Sequence, residues 1–158
     1  MFMAALILIL STALLFFYLQ AVCQRILRRQ FDQDYFRSIV NANRLEFPSV
    51  RKAVEEFDNS LEYSRLRMML KCDFLALTYL LKNAANVNQR YSRDELLLIF
   101  YFRFVFLSLF TRHWLNLKEK PAILKLTQIL QYFANVVGQR VNAVRFGSLT
   151  ASDYLMNL

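Results

Sequence analysis

From Phe2 to Leu19 the chain carries no charge, and apart from Tyr18 only Ser11 and Thr12 are polar. Extended by Ala21 and Val22, this run approaches the ~20 residues a helix needs to cross the hydrocarbon core of a bilayer. A helix satisfies its own backbone groups there, whereas an open strand leaves them bare. The run stops at Arg25, Arg28 and Arg29. Positive residues beside a span favour the cytoplasmic side, and the short N-terminus holds no Lys or Arg to compete. The pattern therefore predicts a single transmembrane helix, with the N-terminus outside and residues 25–158 inside. A cleaved secretory signal fits less well. It would begin basic, carry a shorter apolar stretch and end in a small-x-small site, whereas this chain opens Met1-Phe2-Met3 and its charges follow the run. A lipoprotein signal would set a small residue before the cysteine, yet Val22 precedes Cys23.

Beyond the arginines the apolar positions recur at helical spacing. Tyr35, Phe36, Ile39 and Val40 mark a short juxtamembrane helix within 31–44. Pro48 disfavours helical angles in the residue before it and suits the first turn of a new helix, lined by Val50, Ala53, Val54 and Phe57. Asn59 with Glu62 reads as a capping box opening a long helix over 60–88, whose stripe is Leu66, Met69, Leu70, Phe74, Leu77, Leu80, Leu81 and Ala84. Ser92 with Glu95 is a second capping box, and its helix runs to about Leu117. Pro121 opens a last helix, 121–146, with a stripe of Leu126, Leu130, Phe133, Val137, Val141 and Val144. Thr127, Gln128, Gln131, Asn135, Gln139 and Asn142 take its polar side. Gly147 is placed as a C-cap, and 148–158 shows no clear period. The fold class expected is all-α: one transmembrane helix, then an antiparallel bundle of about four to five helices. Its divisions are an anchor at 1–24, a basic juxtamembrane segment at 25–47, the bundle at 48–147 and a tail at 148–158.

The stretch Leu96–Thr111 is apolar nearly all round, which suits a helix central in a bundle or one in lipid. Arg103 in its middle would cost ~2.5–3.5 kcal/mol in a bilayer on insertion scales. A second span would also carry Lys118, Lys120, Lys125, Arg140 and Arg145 outside. A buried central helix is the preferred reading, and a helix dipping into the membrane interface or packed on another membrane protein is its rival. A buried Arg103 needs a partner, and Asp73, at the centre of the stripe on the 60–88 helix, is the candidate for an ion pair.

Composition supports the helical reading. Gly and Pro number two each in 158 residues, so turn formers are scarce, while 56% of residues are hydrophobic. The net charge of +8 fits an anionic membrane surface or an acidic partner. Two cysteines, Cys23 and Cys72, cannot build a disulfide framework and read as free thiols in a reducing compartment.

Chemistry is sparse. Gly138 and Gly147 are too few and too far along the chain for a phosphate loop of the usual form. One histidine and two separated cysteines do not make an ordinary structural zinc site. His113, beside Trp114, is a weak candidate to ligate haem iron or a chlorin magnesium. No nucleophile motif points to an enzyme. The basic residues of the last helix, Lys125, Arg140 and Arg145, point in different directions, so nucleic acid is not expected. The expected role is a non-catalytic accessory, assembly or scaffolding subunit of a membrane complex, whose partners are the lipid bilayer and other subunits. Tyr18, Phe31, Tyr35, Phe36, Tyr63, Tyr91, Tyr101 and Trp114 are its interface candidates, because large aromatics dominate such contacts. A stand-alone protein binding anionic lipid through its basic half is the first alternative, and a pigment- or haem-holding subunit the second.

Overall fold

A computed structural model describes residues 1–31, 34–56, 62–83 and 90–156, with side chains described as far as Val144. Six helices make up the described residues: α1 (Phe2–Leu27), α2 (Phe36–Asn43), α3 (Phe47–Glu56), α4 (Tyr63–Asn83), α5 (Arg93–Trp114) and α6 (Lys120–Met156). The protein is all-helical over this range.

The centre belongs to α6, not to α5. Between Ala122 and Gly138 its buried residues include Ile123, Leu126, Ile129, Leu130, Tyr132, Phe133, Ala134, Val136 and Val137, which together cover every side of the helix. Helices α2, α3, α4 and α5 all pack on it. Its expected polar side is partly interior as well: Thr127 and Asn135 are buried. The Thr127 hydroxyl donates back to the Leu124 carbonyl (2.9 Å), and Asn135 Oδ1 accepts the Phe36 N–H (2.9 Å). The helix also continues through Gly147 to Met156, so that glycine is not a C-cap. A single glycine costs only ~1 kcal/mol inside a helix, which does not stop one that is otherwise intact.

The short helices α2 and α3 begin without acceptors close by in sequence, and each takes one from a long helix. The first N–H groups of any helix lack intrahelical partners. Asn135 of α6 meets that need for α2. For α3, Asp73 of α4 accepts from the N–H groups of Glu46 (2.8 Å) and Phe47 (2.6 Å), and Pro48 next in line has no donor to satisfy. The expected Asp73–Arg103 pair is therefore not formed. Asp73 is buried and engaged with backbone, while Arg103 points outward from α5. The true interior pair is Glu95 with Arg140, 2.5 Å apart. One Glu95 oxygen holds Arg140 and the other accepts the Ser92 N–H (3.0 Å), as the expected capping box requires, and Arg140 also donates to the Leu81 carbonyl (2.6 Å). Three helices are tied at this point. The Asn59–Glu62 capping box lies outside the described residues.

Aromatic stacking joins α4 to α5. As α4 advances through Tyr63, Arg67 and Phe74, its partners on α5 retreat through His113, Phe110, Phe106 and Phe102, so the two helices run in opposite directions. Gly138 of α6 lies under Tyr35, whose hydroxyl accepts from Asn142 (3.0 Å).

Candidate functional site

Helix α1 is uncovered. No residue of its most apolar 18-residue stretch is buried, and it is long and apolar enough to cross a membrane. Only its second half touches the bundle; near its end Cys23 is buried and its thiol donates to the Leu97 carbonyl (3.8 Å). Further back, Phe16 stacks on Phe104 with ring centroids 4.5 Å apart. Residue 16 pairs with 104 and residue 23 with 97, so α5 runs back along α1. Of the three arginines after the run, Arg25 and Arg28 are solvent-facing. Arg29 is exposed as well, with its guanidinium near the Phe31 ring (5.6 Å) and bonded to Tyr132.

Helix α5 is two-faced rather than central. Leu98, Tyr101, Phe102, Val105 and Leu109 face the core. Leu96, Phe100, Leu107 and Trp114 lie on the opposite side and are exposed, with Arg103 among them. An apolar residue on both sides of a helix is what made the sequence read as fully buried; among the described residues, partners cover only one side. Along the α4 edge, Arg67 lies over Phe106 (5.3 Å) and Phe110 (5.5 Å). Such contacts hold a cation beside an aromatic face.

A second bare row runs down α4. Met68, Leu75 and Tyr79 are all more than half exposed, and the Cys72 thiol is exposed among them. The spacing 68, 72, 75, 79 puts the four on one helical face. They lie off the core stripe, and asking which apolar residues of α4 sit opposite that stripe would have found them.

The eight interface candidates divide clearly. Tyr18 and Trp114 are open to the surroundings, Trp114 at 78% exposure. Tyr101 is a core residue. Phe31 packs edge-on against Tyr132, Tyr35 and Phe36 seat α2, and Tyr63 stacks on His113 with centroids 3.7 Å apart. The Tyr91 hydroxyl donates to the Thr78 carbonyl (3.1 Å). These five serve contacts within the chain.

Comparison with known protein families, curated proteins and solved structures finds no match. The site must therefore be judged on its own chemistry. His113, the sole histidine, has Nδ1 2.7 Å from a Glu119 carboxylate oxygen and one ring face covered by Tyr63. Its Nε2 alone is left to ligate. Among the described residues no group of three or more His, Cys, Asp or Glu is arranged to hold a metal ion. The arrangement closes the α5–α6 turn, which Arg112 also braces by donating to the Lys118 carbonyl (3.0 Å).

Proposed function

We propose that this protein is a non-catalytic accessory or scaffolding subunit of a larger membrane complex, held in the bilayer by α1 and docking a partner through its helical bundle. The observation that carries the reading is the bare row Met68, Cys72, Leu75, Tyr79 on a chain whose N-terminal helix is uncovered and long and apolar enough to cross a membrane. Rows at i, i+4, i+7 and i+11 are how one helix lies in the groove of another protein. Large apolar side chains there lose water on docking at ~25 cal/mol per Å². Basic residues of the same helix, Arg65, Lys71 and Lys82, border the row and are exposed, which suits a partner with acidic residues around an apolar groove. The span is oriented with Arg25 and Arg28 in the cytoplasm, so the bundle lies on that side.

Cys72 makes the test direct. The other cysteine, Cys23, is buried, so a photoreactive maleimide added to native membranes should attach at Cys72 and capture one defined neighbour on illumination. Leu75→Asp, at a site exposed in the free chain, should cut that capture at least tenfold while leaving the protein folded and membrane-bound. Extraction in mild detergent should give a heteromeric particle. A free particle with no crosslink at Cys72 would reject the docking reading.

The second reading, a membrane-surface protein binding anionic lipid, draws support from the cations around α5. Arg67 lies over Phe106 and Phe110, and Arg103 is exposed in the middle of the apolar face. As a stand-alone protein it would leave mild detergent as a free particle, which separates it from the first reading.

A further inference from the structure

We infer that the outer face of α5 is a second membrane contact, seated in lipid beside α1. This rests on α1 being a bilayer anchor. The face consists of Leu96, Phe100, Arg103, Leu107 and Trp114, at steps of four, three, four and seven residues, which keep one side of a helix. All are exposed in the folded chain, and the core-facing set Leu98, Phe102, Val105 and Leu109 lies on the other side.

Two observations point to lipid as the occupant. The first is continuity with the anchor. Phe104 stacks on Phe16, and Phe16 lies nine residues inside Arg25, or about 13 Å along the helix. With Arg25 among the headgroups, Phe104 is below the headgroup layer, and Phe100 and Leu107, about one turn to either side of it along α5, are at a depth where water is scarce. Residues before Phe16 are exposed, so α1 leaves the bundle there and does not cover the α5 face. The second is charge. Arg67 and Arg103 are the charged groups at the face and its α4 edge, both are cations, and neither has an ion-pair partner among the described residues. A long arginine side chain lays its methylenes along apolar surface and lifts its head to a phosphate. Apolar residues with basic neighbours are the composition of interfacial helices that favour anionic leaflets. A water-facing surface would not need Leu96, Phe100, Leu107 and Trp114 in one row.

Trp114 is the sole tryptophan of the chain, so its fluorescence reports this face. The full chain is reconstituted in phosphatidylcholine–phosphatidylglycerol vesicles, with or without brominated acyl chains. Two single-tryptophan variants accompany it in a Trp114→Phe background: Leu107→Trp for the middle of the face and Leu8→Trp for α1. Circular dichroism checks that each keeps its helix content. The expected result is quenching by bromolipid at all three positions, with quenching by aqueous iodide at Leu107→Trp at least fivefold weaker than for free tryptophan. Quenching by bromolipid at Leu8→Trp, with Trp114 and Leu107→Trp open to iodide, overturns the inference and leaves the anchor standing. No bromolipid quenching at any position overturns both. Tryptophans on α5 shielded from lipid and iodide alike mean that a second copy covers the face, which also overturns it.

Discussion

At the scale of single residues, the interior polar groups are organised around helix starts. Asp73 has the environment of a core position, 5% exposed, and its task is to receive the first N–H groups of α3. Burial pushes its carboxyl above the ordinary carboxylate range, against the opposing pull of the Phe47 and Glu46 N–H groups. The consequence for stability has a definite sign. A group whose pKa is higher folded than unfolded contributes its stability fully below the unfolded value, near ~3.9, and loses it as pH rises through the raised folded value. Asp73→Asn keeps an acceptor oxygen and carries no charge. Relative to that variant the natural chain should lose stability as pH climbs from about 4, then run level. Asp73→Ala leaves two donors without an acceptor and should cost ~2–3 kcal/mol throughout. Chemical unfolding of the detergent-solubilised chain between pH 4 and 8 measures both, and parallel curves for the natural chain and Asp73→Asn would refute the first. Position on the stripe marked Asp73 as interior, but its partner was not legible. Sequence spacing offers a charge for a charge, whereas the fold supplied backbone donors brought over by a loop. Arg140 was hidden for the converse reason, since its partner Glu95 already had a complete local role in a capping box.

At the scale of elements, the helices themselves were readable because periodicity is a property of each segment. Their rank within the assembly was not. Helix α5 has the more apolar sequence, yet α6 is the one surrounded, because Ala134, Gly138 and the partnered Thr127 and Asn135 let neighbours approach it on all sides. Bulk on every side does the opposite: α5 is too crowded with Phe and Leu for close neighbours all round, and one face is left over. Gly138 carries the sharpest prediction at this level. A Cβ there would collide with Cβ of Tyr35 and come within 3.0 Å of its Cγ. Those atoms sit at the root of the side chain and cannot swing aside, so α2 would have to lift from α6. Gly138→Ala should gain up to ~1 kcal/mol in helix propensity, but overpacking typically costs 1–3 kcal/mol. The net expectation is a loss of roughly 1–2 kcal/mol and early proteolysis near α2. A more stable variant would mean that α2 is not held at this point.

For the whole molecule, what matters is how a folded bundle and a bare apolar helix share one chain. A free domain of this size would hide Leu96, Leu107, Met68 and Leu75; this one leaves them outside, which makes sense if its surroundings are lipid and protein as much as water. Orientation then decides which partners are within reach. In the proposed orientation the apolar run of α1 is followed by basic residues, and Arg25, Arg28 and Arg29 are all exposed, Arg29 also lying near Phe31 and Tyr132. On that proposal the flanking charges do most of the steering, aided by the basic surface beyond. The exposed Cys72 and the buried Cys23 allow sidedness to be read with a membrane-impermeant maleimide. The natural chain should label in inverted vesicles and stay unlabelled in intact cells. Moving the bias, by Arg25→Gln and Arg28→Gln together with Phe2→Lys and Met3→Lys, should put a measurable fraction of Cys72 outside, because the difference in flanking charge sets orientation. The four substituted positions are exposed, so the fold is spared and a change in labelling reports topology alone. Labelling of the natural chain from outside the cell would reverse the orientation and, with it, the side on which the row on α4 meets its partner.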